Sequence, residues 1–295
     1  YWVLRKYWKT FKKFKIMNGF ILVDKETGIS SNSVVQKVKK KLKVKKVGHL
    51  GTLDPLAEGL LILAINRATK FSSYFLESEK SYDVEIKLGI ATDTDDSTGN
   101  IIYESNKHPD SELVKKELFS FIGESMQVPP FFSALKHKGK PLYKYAREGK
   151  FISKPPRKIF IKKIENFNYK NKICSFRVDC SKGTYIRSIA RDLGNRLECG
   201  AHMIALTRVS QGDFRLEKAR KSVDVVKDNI VSIEVAFKNL YKILLNTNDE
   251  KKFINGVSLS NSDHKHGIFR VFSESNIFLG IGEIKDHHLK HKQLV

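Results

Sequence analysis

The chain is poor in cysteine, in acidic residues and in long apolar runs, and each shortage excludes a class of protein. Three cysteines among 295 residues, Cys174, Cys180 and Cys199, are an odd number with no Cys-x-x-Cys pair and no neighbouring histidine cluster. A disulfide framework and a structural zinc site are therefore both unsupported, and a reducing compartment is expected. No uninterrupted apolar stretch approaches the roughly 18 residues of a membrane span. Acids number 32 against 54 lysines and arginines, a formal charge of +22. That excess is far more than solubility needs and would hold a polyanion by releasing its counterions, so nucleic acid is the leading partner class. Much of it is lysine, which also suits a solvated surface with no such partner.

What is present reads as a globular chain, with 41% hydrophobic and 29% charged residues. Its length allows one large domain with a small addition, or two ordinary domains. Residues 1–16, YWVLRKYWKTFKKFKI, carry six basic residues and no acid, and lack the apolar core and cleavage site of a secretory signal. They read as an extension upstream of a start at Met17, as a basic arm, or as an organellar presequence.

GFILVDK, residues 19–25, has the pattern of a short buried strand, and the serines of TGISS can cap a helix over about 32–42. LLILAI, residues 60–65, reads as a second buried strand, followed by a helix over 69–77. In SYDVEIKLG, Tyr82, Val84, Ile86 and Leu88 alternate with polar neighbours, the period of a half-buried strand. ATDTDDSTGN is a turn. Its acids Asp93, Asp95 and Asp96 lack the glycine and distal glutamate of a calcium loop and suit side-chain turn bonding instead. SELVKKELFSFIG reads as a capped amphipathic helix, and VPPFFSALKHKGKPLYKYAREG as a long basic and aromatic segment. Two strands joined at NYKNK precede a turn at Gly183 and a helix ending near Gly200. The polar stretch 246–252 is the expected linker to a small C-terminal β domain.

The chemistry gathers in GHLGTLDPLAEGLL. Asp54, between glycines and before Pro55, sits where the backbone can turn sharply and present a carboxylate above a leucine floor. On the loop alone, turn capping is the simpler reading. A catalytic reading needs a cation, because an unpaired buried carboxylate costs several kcal/mol or takes up a proton. GTYIRSIARDLG offers one: Tyr185 and Arg187, two apart on an apparent strand end, would face the same side. His49 lies in the same loop as Asp54, where a surface or hydrogen-bonding role is the ordinary one.

Five separated segments in order, GFILVDKETGISS, GHLGTLDPLAEGLL, KSYDVEIKLGIATDTDDSTG, VPPFFSALKHKGKPLYKYAREG and CSKGTYIRSIARDLG, followed by CGAHMIALTRVSQGDF, resemble the TruB family of tRNA pseudouridine synthases over residues 19–214. The resemblance implies an α+β pseudouridine synthase fold, with a mixed, largely antiparallel sheet flanked by helices and loops over 17–245 and a small PUA-like RNA-binding β domain over 246–295. It implies isomerisation of a uridine in the T arm of tRNA, at position 55, without metal or other cofactor. The enzyme would be a cytoplasmic monomer, free of membrane and acting without guide RNA. Asp54 falls on the family's catalytic aspartate, Arg187 on the arginine that pairs with it, and Tyr82 on the aromatic that stacks on the target base. Tyr185 and Leu206 match residues lining the uridine pocket, and His49 the residue that fills the space a flipped base leaves. Lys25 and Arg208 match basic positions near the site, where phosphate or main-chain contacts are expected.

Glu26, Leu50, Glu58 and Thr207 depart from the family's usual proline, threonine, threonine and arginine, and none is at a catalytic position. Whether Asp54 attacks C1′ of the ribose, adds to C6 of the uracil, or acts as a base is left open by residue identity. Two other readings are a tRNA-folding chaperone and a guide-RNA-dependent relative of the dyskerin type.

Overall fold

A computed structural model describes residues 17–260 and 265–295, so the basic leader lies outside the described residues. The chain opens with β1 (Gly19–Lys25), α1 (Ser31–Leu42), β2 (Val47–His49) and β3 (Glu58–Ile65). A 3-10 turn over Asn66–Phe71 leads into α2 (Ser72–Leu76) and β4 (Lys80–Leu88). A hairpin of β5 (Ile90–Thr92) and β6 (Ile101–Glu104) precedes α3 (Ser111–Phe119) and β7 (Gly123–Gln127). The basic aromatic segment holds β8 (Lys136–His137), β9 (Lys140–Pro141) and α4 (Leu142–Ala146). Next come β10 (Arg157–Lys170), β11 (Ile173–Cys180), α5 (Ile186–Arg196) and β12 (Ala201–Gln211). Short β13 (Phe214–Arg215), β14 (Arg220–Lys221) and β15 (Val231–Ser232) precede α6 (Ile233–Ala236).

The main sheet runs β14-β1-β3-β12-β4-β11-β10-β7, with β2, β13 and β15 paired off this path. Only β1/β14 and β3/β12 pair in parallel, so the sheet is mixed and largely antiparallel, as expected. β1 and β3 lie within it, and both faces of each are apolar. Ile21, Val23, Leu61, Leu63 and Ile65 point into one core, while Phe20, Leu22, Leu60, Ile62 and Ala64 point into a second. This explains the unbroken run LLILAI: alternate residues serve different cores. β4 has only one buried face, and Tyr82, Val84, Ile86 and Leu88 fill it while Asp83 on the other face holds Arg177 at 2.6 and 2.8 Å.

α1 buries Val34, Val35, Val38 and Leu42, with Ser30 capping its start and Lys43 in the left-handed conformation at its end. α5 buries Ile186, Ile189, Ala190 and Leu193 against β12 and the first core. The apparent strand end at Tyr185 and Arg187 is corrected here. β11 stops at Cys180, Tyr185 is the N-cap of α5, and Arg187 lies in its first turn. The apolar spacing 186, 189, 190, 193 is helical, so the two side chains do not share a face by strand alternation.

The expected linker at 246–252 is also replaced. The C-terminal five-stranded sheet already begins with β16 (Lys242–Leu245), and Asn246 caps α7 (Thr247–Ile254) by accepting from the backbone of Asn248 and Asp249. Polarity there is the exposed face and cap of a helix whose Phe253 is wholly buried. β17 (Leu259–Ser260), β18 (Gly267–Ser273), β19 (Phe278–Lys285) and β20 (His288–Leu294) complete the sheet in the order β16-β18-β19-β20-β17. Phe278 and Ile281 of β19 join the second core with Phe71, Phe75 and Phe237, which fixes the small sheet to the large one. Among the described residues no helix is long and apolar enough to cross a membrane.

Gly194 is a close packing point of α5. A Cβ there would lie 2.3 Å from the Ala201 nitrogen, and its carbonyl accepts from Cys199 and Gly200 at 3.1 Å each. Gly194→Ala should therefore destabilise the protein by about 1–3 kcal/mol, read as a lower urea midpoint at unchanged slope; an unchanged midpoint would show that α5 can shift freely.

Candidate active site

The loop between β2 and β3 carries Asp54, and almost every carbonyl along it is held. Gln211 donates to Leu50 O, Arg208 to Gly51 O, Ser31 to Leu53 O and Thr27 to Leu56 O. Lys25 Nζ donates to Glu26 O at 3.0 Å, to Pro55 O at 3.3 Å and to Ala57 O. Backbone bonds from Gly28 to Pro55 O and from Ala57 to Asp54 O complete the set. Gly51, at φ +129, allows the chain to enter the loop. The sequence presents Ser30 and Ser31 together as caps; Ser30 caps α1, while Ser31 both donates to and accepts from Leu53 across 2.8 Å.

Asp54 projects from this loop with 38% of its side chain exposed, and its Oδ2 lies 2.8 Å from Nη2 of Arg187, whose side chain is 5% exposed. Arg187 is seated from behind by the turn after β5. Its Nη1 donates to Thr94 O at 3.1 Å, its Nη2 to Phe132 O at 2.8 Å, and Asp96 Oδ2 stands 3.7 Å from its Nε. Asp96 is itself fixed, accepting from Thr94 Oγ1, Thr98 N and Thr98 Oγ1 at 2.6–3.0 Å. The turn reading of ATDTDDSTGN holds, and the same turn also carries a counter-charge for the site cation. Nearby Asp95 pairs with Arg191 at 3.2 Å, yet burial pushes its carboxyl up to about 6. Among the described residues no group of three or more His, Cys, Asp or Glu is arranged to hold a metal ion.

A cleft of about 270 Å³ opens over the carboxylate, walled by Asp54, Tyr82, Tyr185, Arg187, Leu206 and Arg208. Six of the eight residues picked out in the sequence thus meet in one place. Tyr82 and Arg208 are register partners on β4 and β12. Burial is the main cause that raises the Tyr82 phenol above its ordinary value. Arg208 is 1% exposed and spends Nε on Leu60 O at 2.7 Å and Nη2 on Gly51 O at 3.0 Å.

Lys25 and His49 are placed differently. Lys25 is fully buried behind the loop and spends its ammonium on main chain, leaving the phosphate alternative without an exposed donor. Burial, opposed by Asp54 and Glu58, lowers it to about 8. His49 ends β2 beside Leu63, outside the cleft wall; its Nδ1 is buried without a hydrogen-bond partner, and burial lowers its pKa. Two of the departures noted in the sequence face each other: Thr207 Oγ1 donates to Glu58 Oε1 at 3.1 Å. Leu50 is buried in the second core.

The cleft also contains groups that the sequence did not single out. Lys80 lies two residues before Tyr82 on the same strand face and is lowered to about 8, chiefly by burial. Strand alternation from Tyr82 was signal enough to find it. Arg157, from the start of β10, had no such signal.

Three family profiles match the chain in succession. Residues 39–186 match the TruB family pseudouridylate synthase N-terminal domain, 187–248 the tRNA pseudouridylate synthase B C-terminal domain, and 242–295 the pseudouridine synthase II TruB C-terminal domain. The chain belongs to the TruB family. A TruB relative from Clostridium kluyveri, named tRNA pseudouridine synthase B, is 40% identical over 94% of this chain and 99% of its own. Another of that name from Francisella philomiragia is 40% identical over 94% of each. Among solved structures, an H/ACA RNP bound to a substrate RNA containing 2′-deoxyuridine superposes with a TM-score of 0.70 at 21% identity, covering 95% of this TruB chain and 85% of that one. A Cbf5-Nop10-Gar1 complex gives 0.69 at 23%, covering 91% and 78%, and at such identity the likeness establishes the fold.

Replacing Lys25 by Met would leave carbonyls of the Asp54 loop without their donor and should cost about 1–3 kcal/mol. Because the folded pKa of Lys25 is depressed, its titration adds stability that is fully present above the unfolded value and lost as pH falls through about 8. Denaturant unfolding of both proteins should show the margin of wild type over Lys25→Met widening from pH 8 upward; a margin that shrinks over that range would contradict the assignment.

Proposed function

We propose that this protein is a stand-alone tRNA pseudouridine synthase that isomerises the uridine at position 55 of the T arm. The observation that carries the reading is the half-exposed Asp54 carboxylate on the buried Arg187 guanidinium at 2.8 Å, at the floor of a cleft walled by Tyr82, Tyr185 and Leu206. Full-length relatives named tRNA pseudouridine synthase B support the substrate.

In this reading the target nucleotide leaves the stack of the T loop and enters the cleft, where aromatic and apolar walls offset the stacking it loses. The N1 to C1′ bond breaks, the uracil turns, C5 bonds to C1′, and the proton leaving C5 is balanced by one taken up at N1. Asp54 is the group at the reacting atoms, as nucleophile toward C1′ or C6, or as base. Arg187 positions it. Tyr82 stacks on the base, Tyr185 and Leu206 line its pocket, and Arg208 and Lys25 act through the loop and Tyr82 rather than on RNA. His49, a neutral ring at the loop entrance, is assigned to the space the base vacates.

Residues 17–245 form the catalytic unit in this account, with 246–295 as an RNA-binding addition whose sheet draws in β16. The protein works in the cytoplasm as a monomer without guide RNA; relatives matched over nearly their whole length carry the tRNA enzyme's name, whereas the guide-RNP likeness is one of fold. A tRNA-folding chaperone would have no use for the Asp54–Arg187 pair.

Asp54→Asn should bind unmodified tRNA as wild type does while pseudouridine formation falls by about 10³-fold or more. Filter binding and nucleotide-resolution mapping read the two properties separately, and full activity in the variant would sink the assignment.

A further inference from the structure

Four basic side chains line the cleft, and three of them are already spent. Arg187 holds Asp54 and two carbonyls, Arg208 holds Leu60 O and Gly51 O, and Lys80 Nζ donates to Ser78 O at 2.7 Å and Leu76 O at 3.2 Å. Arg157 is different. Its Cζ stands over the Tyr185 ring, 4.5 Å from the centroid, and Nη2 donates to Gly183 O. No carboxylate pairs with it among the described residues, and its Nε is buried without any acceptor.

The place is built for this side chain. Gly183, at φ +80, would bring a Cβ to 3.3 Å from Arg157 Cζ, so glycine leaves room for the guanidinium. Gln127, the register partner of Arg157 on β7, pins the Tyr185 backbone from both sides, accepting from its nitrogen at 2.8 Å and donating to its carbonyl at 3.1 Å. A planar cation is thereby held in one orientation at the rim of the cleft, with an unanswered charge.

We propose that Arg157 is a phosphate clamp: it binds the backbone phosphate on one side of the uridine that enters the cleft. This rests on the synthase reading above. Uracil is neutral and asks only for neutral donors, which the cleft supplies in hydroxyls and main chain. A nucleotide drawn out of its loop brings a phosphodiester with it, and a guanidinium fork with unused donors matches that anion in charge and geometry. The contact with Tyr185 costs the guanidinium little of this capacity, because a ring attracts the cation without occupying an N–H donor. Clamping the phosphate fixes the ribose, whose C1′ has to meet Asp54.

The test uses the full chain and a T-arm stem-loop RNA carrying one neutral methylphosphonate, either 5′ or 3′ of the target uridine. At one of these positions wild type should bind about tenfold more weakly, while Arg157→Gln, already weakened about tenfold on unmodified RNA, should lose less than about twofold more. The slope of log Kd against log salt should fall by about 1 in Arg157→Gln and be retained in Arg157→Lys, a change that loss of packing against Tyr185 would not produce. Equal methylphosphonate penalties in wild type and Arg157→Gln, an unchanged salt slope, or no penalty at either position in wild type would overturn the clamp, the last without reference to any variant's folding. Failure of the synthase reading is separate: it would show as wild type leaving the uridine of unmodified RNA unchanged.

Discussion

Asp54 keeps its aim only because Arg187 is already fixed when the carboxylate reaches it. An arginine at the base of a cleft is costly to bury, and removing either member of such a pair leaves a charge that costs about 3–5 kcal/mol. The surroundings meet that cost with two main-chain carbonyls and a second carboxylate, Asp96, itself saturated by threonines. Around this pair the fold supplies three supports: α5 brings the cation, the turn after β5 seats it, and the loop ahead of β3 brings the anion.

The second constraint is on main chain. A loop rich in glycine can present a carboxylate but cannot by itself hold one in place, since its conformational freedom is large. Here the side chains of Lys25, Thr27, Ser31, Arg208 and Gln211 bind its carbonyls one after another. Two of these cations sit where a basic residue near an RNA site would be read as a phosphate contact. Their burial makes them internal braces, and leaves Arg157 as the cleft cation with charge to spare.

Much of the fold was legible in the sequence because its signals were local. LLILAI, the alternation from Tyr82 to Leu88 and the serines before α1 each state their own structure. At Tyr185 a single turn separates β11 from α5, and two residues cannot distinguish a strand end from a helix start. The stretch 246–252 was misread because an exposed capped helix and a linker have the same composition. At the site, Asp54, Arg187, Tyr82, Tyr185, Leu206 and Arg208 line one cleft. Asp96, Gln211 and Arg157 did not show, because each matters through a partner 26 or more residues away, and such pairings exist only once the sheet is assembled.

In the proposed function this arrangement converts uridine in tRNA without help. Incubation of the pure protein with an unmodified tRNA transcript, followed by pseudouridine mapping at every position, tests it most directly. One new pseudouridine should appear, at position 55 of the T arm, with no guide RNA or other macromolecule added. No product, or product appearing only when a guide RNA is supplied, would contradict it.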